Sequence, residues 1–170
     1  MQYRILSLPD PKPSRSLLHQ KGEQLAREML AGVIGDAPDS FIFEKAQRGK
    51  PFVRGCSHQF NISHSGNRVL CAVHEGNIGA DIERLRPVPQ KVFKNICTYA
   101  EQQYIGDDPL RFAEVWTRKE AYVKLDGRGL AYGLQNVEVA TDKALLPTIC
   151  DCRVMTKQID EYVYSIVWKE

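Results

Sequence analysis

Hydrophobic and polar positions along the chain change period several times, and each change predicts an element. Tyr3 to Leu8 reads as a short strand, ended by the proline-broken turn Pro9–Pro13. Ser16 to Val33 takes a helical period, with Leu18, Leu25 and Met29 on one face and Gly32 and Gly35 ending it. Phe41 to Phe52 holds a short strand and a turn at Arg48-Gly49-Lys50-Pro51. Asn61-Ile62-Ser63 leads into a Ser-His-Ser-Gly turn, and Val69 to Val73 is apolar throughout, as a buried strand should be. Glu75-Gly76-Asn77 is expected to turn that strand back into Ile78–Glu83 as a hairpin.

Pro87 and Pro89 then mark a join. Val92, Phe93, Ile96, Ala100 and Tyr104 keep helical spacing, but Thr98 and Glu101 form a capping-box pattern that starts a new helix inside the run. Asp108-Pro109 supplies an N-cap and a first-turn proline for a longer helix, with Gly127 as its stop. Beyond Gly133 the period becomes that of strands, at Val137-Glu138-Val139, Thr148–Met155 and Tyr162–Trp168. The second half therefore repeats helix then strands, as the first does.

Composition narrows the class without choosing a function. The 170 residues are 43% hydrophobic and 26% charged, which suits one large domain or two small halves. Neither a membrane-spanning run nor a signal-peptide core is visible, so no membrane partner and a cytoplasmic location are expected. The net charge of +2, with Lys and Arg scattered rather than striped with aromatics, excludes an electrostatic nucleic-acid binder. Five cysteines form no repeated framework, and Cys71 reads as a small core residue.

The chemistry concentrates in two segments. In Ile78-Gly79-Ala80-Asp81-Ile82-Glu83, strand alternation puts Asp81 and Glu83 on one face and Ala80 and Ile82 on the other. Two carboxylates about 7 Å apart on a strand need a cation between them, and a hard divalent ion such as Mg²⁺ suits oxygen ligands. In the helix, Trp116, Glu120 and Lys124 form one stripe with Lys119 and Val123 beside it. Taken alone, Glu120 and Lys124 read as a solvated ion pair, and Asp81 and Glu83 as the outer face of an edge strand. The two segments together are better explained by ligand recognition.

Phe60-Asn61-Ile62-Ser63-His64-Ser65-Gly66, Ile78–Glu83 and Trp116–Lys124 together resemble the signatures of the 4′-phosphopantetheinyl transferases. Gly49-Lys50-Pro51 and Gly127-Arg128-Gly129-Leu130 fit the same pattern. The order is similar to the single-chain, two-half branch that activates surfactin synthetase, here as a short variant. The resemblance implies an α+β fold of two similar halves, 1–86 and 87–170, forming a pseudo-dimer in one chain, and a monomer.

It also implies Mg²⁺-dependent transfer of the 4′-phosphopantetheine arm from coenzyme A to a serine of an apo acyl or peptidyl carrier protein, releasing adenosine 3′,5′-bisphosphate. Asp81, Glu83 and Glu120 would hold the metal. Glu120 would also be the general base, directly or through water, and Lys124 would neutralise the transferring phosphate. His64 and Ser63 would meet a coenzyme A phosphate, with Lys50 and Arg15 on the adenosine phosphates. Trp116 is expected to pack in the core without touching substrate. Only a short stretch precedes the first helix, so a weak hold on the 3′-phosphate is expected. A different Mg²⁺-dependent phosphodiesterase and a non-catalytic carrier-binding module are the alternatives.

Overall fold

The computed structural model describes residues 1–46, 49–127 and 133–170. Strand β1 (Gln2–Ser7) is followed by helix α1 (Arg15–Ile34), the short strands β2 (Phe43–Lys45) and β3 (Pro51–Val53), and strands β4 (Gln59–Ser65), β5 (Arg68–His74) and β6 (Ile78–Arg84). Helices α2 (Gln90–Ile96), α3 (Tyr99–Ile105) and α4 (Pro109–Asp126) come next, then β7 (Thr148–Ile149), β8 (Cys152–Ile159) and β9 (Tyr162–Trp168).

The longer strands form two antiparallel sheets, ordered β1-β5-β4 and β6-β9-β8-β7. A helix covers the outside of each, α1 on the first and α4 on the second, so the mixed α+β fold is layered helix, sheet, sheet, helix. Strand alternation builds these layers. Val69, Cys71 and Val73 of β5 turn toward α1, whereas Leu70 and Ala72 turn toward Ile78, Ala80 and Ile82 of β6 and Tyr164 and Ile166 of β9. Because β5 is buried on both faces, it reads as an unbroken apolar run.

Local signals set the helix ends where expected. Ser14 accepts a hydrogen bond from the Leu17 amide, and Gly35 closes α1 with φ 92°. Thr98 and Glu101 form a complete capping box on α3. Asp108 caps α4, Pro109 fills its first turn and Gly127 ends it at φ 74°. Residues 128–130 of the expected Gly127–Leu130 motif, and Arg48 of the turn before β3, lie outside the described residues.

Four expectations are corrected. The expected strand Thr148–Met155 is two antiparallel strands, β7 and β8, reversed at Cys150-Asp151 with Cys150 at φ 50°. Strand β6 is not the hairpin partner of β5: it crosses to the other sheet and pairs with β9, Asp81 opposite Ser165 and Glu83 opposite Val163. The Ser-His-Ser-Gly segment is not a turn through His64, because β4 continues to Ser65 and the reversal lies at Gly66-Asn67. Gly66, at φ 55° in the first central position, has the backbone such a tight hairpin needs. Val137-Glu138-Val139 forms no strand; it follows a 3-10 turn, and the buried Val139 leads into an isolated antiparallel bridge between Ala140 and Leu145, its carbonyl accepting from the Leu146 amide at 2.9 Å. No helix among the described residues is long and apolar enough to cross a membrane.

Candidate active site

Strands β4 and β6 are neighbouring edges of the two sheets, and α4 lies across the outer face of β6. The close approach of α4 depends on Gly79, where a Cβ would fall 1.9 Å from the Ala121 carbonyl oxygen and 2.4 Å from the Leu125 amide. A helix seated this low brings Trp116, Glu120 and Lys124, one turn apart on a single stripe, beside Asp81 and Glu83. The result is a cleft of about 310 Å³ lined by Ile62, Ser63, His64, Asp81, Glu83, Trp116, Glu120 and Lys124. Six of these eight are the residues that the sequence singles out, drawn from three separate segments.

Asp81 is almost fully buried. Its Oδ1 accepts from Lys124 Nζ at 2.6 Å and from Ser63 Oγ at 2.8 Å, and Lys124 also donates to Ser63 Oγ at 3.0 Å. Its Oδ2 is buried with no hydrogen-bond partner among the described residues. Glu83 accepts from Ser65 Oγ at 2.9 Å on Oε2 and from Trp116 Nε1 at 3.3 Å on Oε1. Lys124 is thus drawn to Asp81 across the cleft, rather than standing as one end of a solvated helical pair.

The electrostatics show a surplus of negative charge. Burial, then repulsion from Asp81, raises the pKa of Glu83. Burial and Asp81 also raise that of Glu120, against the pull of Lys124. Burial lowers the pKa of His64, helped by Lys124 and Arg15. A divalent cation fits this donor set: three carboxylates, two of them reluctant to ionise together, and one buried oxygen without a donor. Among the described residues no three such side chains already enclose an ion-sized space, and the Lys124 ammonium is the charge that lies against Asp81.

Arg15, at the start of α1, is near enough to help depress the pKa of His64 but does not line the cleft. Lys50 does not join the group. Its Nζ donates to the Ile78 carbonyl at 3.0 Å, and burial lowers its pKa to about 8. Trp116 departs from its expected role: it stacks on Phe112 in the core, but its indole edge also lines the cleft and holds Glu83. Ser65 was not anticipated either. The signal was present in the alternation Asn61, Ser63, Ser65, which puts three polar side chains on one face of β4.

Three carboxylates, a lysine and a histidine thus share one cleft. Residues 77–167 match the family model of the 4′-phosphopantetheinyl transferase superfamily. The chain is 35% identical over 121 residues to the 4′-phosphopantetheinyl transferase psf-1 of Bacillus pumilus, covering 68% of this chain and 52% of that protein. It is 37% identical over 123 residues to the enzyme gsp of Aneurinibacillus migulanus, covering 68% and 49%. With AcpT of Salmonella typhi it shares 34% identity over 136 residues, covering 73% and 67%. The chain belongs to the 4′-phosphopantetheinyl transferase superfamily. It spans about half the length of the first two of these relatives.

Proposed function

We propose that this chain transfers the 4′-phosphopantetheine arm of coenzyme A to a serine hydroxyl of an apo acyl or peptidyl carrier protein, releasing adenosine 3′,5′-bisphosphate. The observation that carries the reading is the single cleft in which Asp81, Glu83, Glu120, Lys124 and His64 converge from β4, β6 and α4. Family membership supplies the chemistry for which these groups are suited.

Asp81, Glu83 and Glu120 would hold Mg²⁺, which when bound supplies charge neutralisation for the pyrophosphate of coenzyme A. Lys124, 2.6 Å from Asp81 Oδ1, would bring an ammonium to the negative charge that grows on the transferring phosphate. Glu120 takes the proton from the attacking serine hydroxyl, directly or through a water. His64 donates an imidazole N–H to a phosphate oxygen. Arg15 supplies a full charge further out, toward the adenosine end. Lys50 is assigned to the adenosine phosphates only through its Gly-Lys-Pro setting. The chain acts as two α+β halves, 1–86 and 87–170, with β6 of the first half completing the sheet of the second, working as one monomer.

The test is transfer of a labelled pantetheine arm from coenzyme A to purified apo carriers of the fatty-acid, polyketide and peptide-synthetase kinds, with and without Mg²⁺. Labelled holo carrier formed only with Mg²⁺ is the expected result. Breakdown of coenzyme A without any carrier labelling would overturn the reading.

A further inference from the structure

Strands β4 and β6 are each the edge of their own sheet, and their backbone ladders run to β5 and β9, not to each other. Side chains join them instead. Asn61 Oδ1 accepts from the Ala80 amide at 2.9 Å, Ser63 Oγ donates to Asp81 Oδ1 at 2.8 Å, and Ser65 Oγ donates to Glu83 Oε2 at 2.9 Å. Ser65 Oγ also accepts from the Arg84 amide at 3.1 Å. This polar ladder satisfies amide groups that an uncovered edge strand would leave without partners.

The ladder does more at its last rung. A hydroxyl has one proton to give, and an amide N–H can only donate. With the Arg84 amide on its lone pair, the Ser65 proton is directed at Glu83. The indole N–H of Trp116 meets the other oxygen of the same carboxylate, so Glu83 is gripped from β4 and from α4 at once. Each oxygen keeps a further lone pair for a ligand. A glutamate fixed in this way has already lost the side-chain freedom that ligand binding would otherwise cost.

We infer that Ser65 is a positioning residue of the transfer centre, orienting Glu83 toward a divalent cation without touching the cation or the substrate. The inference rests on the reading of Glu83 as a metal ligand. Outer partners of ligating carboxylates commonly change metal affinity by about 10- to 100-fold when removed.

The experiment measures Mn²⁺ affinity from the free-ion electron paramagnetic resonance signal, with and without coenzyme A, for the wild-type chain, Ser65→Ala, Ser65→Thr and Asn61→Ala. Ser65→Ala should weaken Mn²⁺ by about tenfold, whereas Ser65→Thr, which keeps the hydroxyl, should stay within about threefold of wild type. Asn61→Ala removes a rung that touches only backbone, so it should lower the melting temperature and leave the affinity alone. In turnover, the defect of Ser65→Ala should lie in the apparent KM for Mg²⁺ rather than in kcat. Unchanged Mn²⁺ affinity in a folded Ser65→Ala would overturn the inference. If Ser65→Ala does not fold, Ser65→Cys replaces it, and wild-type affinity there has the same force. A wild-type chain that binds no Mn²⁺ under either condition removes the metal reading, and the grip is then judged by amide hydrogen exchange. Faster exchange at Arg84 in Ser65→Ala supports the Ser65 contact, and unchanged exchange removes it.

Discussion

The proposed function asks two things of Glu120 in one cleft, a ligand oxygen and a proton acceptor, and Glu120→Gln removes both while keeping the side-chain size. The transfer rate should fall at least about 100-fold, the range in which loss of a general base usually falls. Steady-state labelling of an apo carrier at saturating Mg²⁺ reads this directly, and near-normal turnover would exclude Glu120 from the chemistry. The same residue, with Glu83, gives the metal-free chain a distinctive pH response. Both carboxyls protonate more readily folded than unfolded, above their ordinary value of 4.5. Their contribution to stability is therefore complete below about that pH and is lost as pH rises through their folded values. Glu83→Gln cannot lose a proton, so its melting temperature in chelator should gain on wild type as pH is raised from about 4.5 toward 7. A constant difference across that window would mean that Glu83 is not strained.

Helix α4 is the element on which the site depends, and two contacts set its depth. Gly79 lets it rest on the β6 backbone. The methyl group of Gly79→Ala would meet the backbone of Ala121 and Leu125, neither of which can swing aside. The cost should be about 1–3 kcal/mol or more, as overpacking gives. Mn²⁺ affinity and transfer should fall even in molecules that remain folded, because Glu120 is carried away from Asp81. Circular dichroism beside a metal titration separates the two effects. On its other side α4 is anchored by Lys119, fully buried, 2.8 Å from Glu101 Oε2 and bonded also to the carbonyls of Leu134 and Val137. Lys119→Met leaves Glu101 buried and charged, so urea unfolding should lose about 3–5 kcal/mol, with much of the loss restored by adding Glu101→Gln.

These elements also show how far the chain could be read unaided. Thr98, Glu101, Asp108, Pro109 and Gly127 act on groups a turn away, so their meaning is local and they marked α3 and α4 correctly. Alternation correctly gave the shared face of Asp81 and Glu83. Which strand β6 joins depends on a surface that forms only when β9 is present, and Glu75-Gly76-Asn77 looked like an ordinary hairpin turn. Burial of Lys119 depends on Glu101 from another helix, so spacing within α4 could say only that it lies beside the stripe. The likeness to known motifs pointed to the cleft residues together. It did not reveal that Ser65 and Trp116 hold Glu83, because that is a matter of side-chain direction.

At the scale of the layers, the cleft lies at a seam between two sheets, each with its own helix and its own apolar core. Asp81 of β6 is bonded to Ser63 of β4, so a cation held by Asp81 would act on both sheets, and its binding should stabilise the entire fold and not one part of it. At 100 times its Kd a ligand adds about 2.7 kcal/mol. Thermal unfolding followed separately at Trp116 and in the far ultraviolet should shift upward by the same amount with Mg²⁺, and Asp81→Ala should shift by neither probe. Movement of one transition alone would show that the sheets unfold independently.

The pairing of β6 with β9 governs when the site comes into being. Asp81 and Glu83 are synthesised about halfway along the sequence and α4 soon after, yet the strand that steadies β6 is the last one described. A ribosome adding about 5–20 residues per second would extend the chain for several seconds with carboxylates and helix present but β6 unsupported. Long-range strand pairing is slow to close in any case. Competence to bind metal should therefore arrive abruptly rather than by degrees. Nascent chains stalled before Tyr162 should hold no Mn²⁺, and those released after Trp168 should hold it fully.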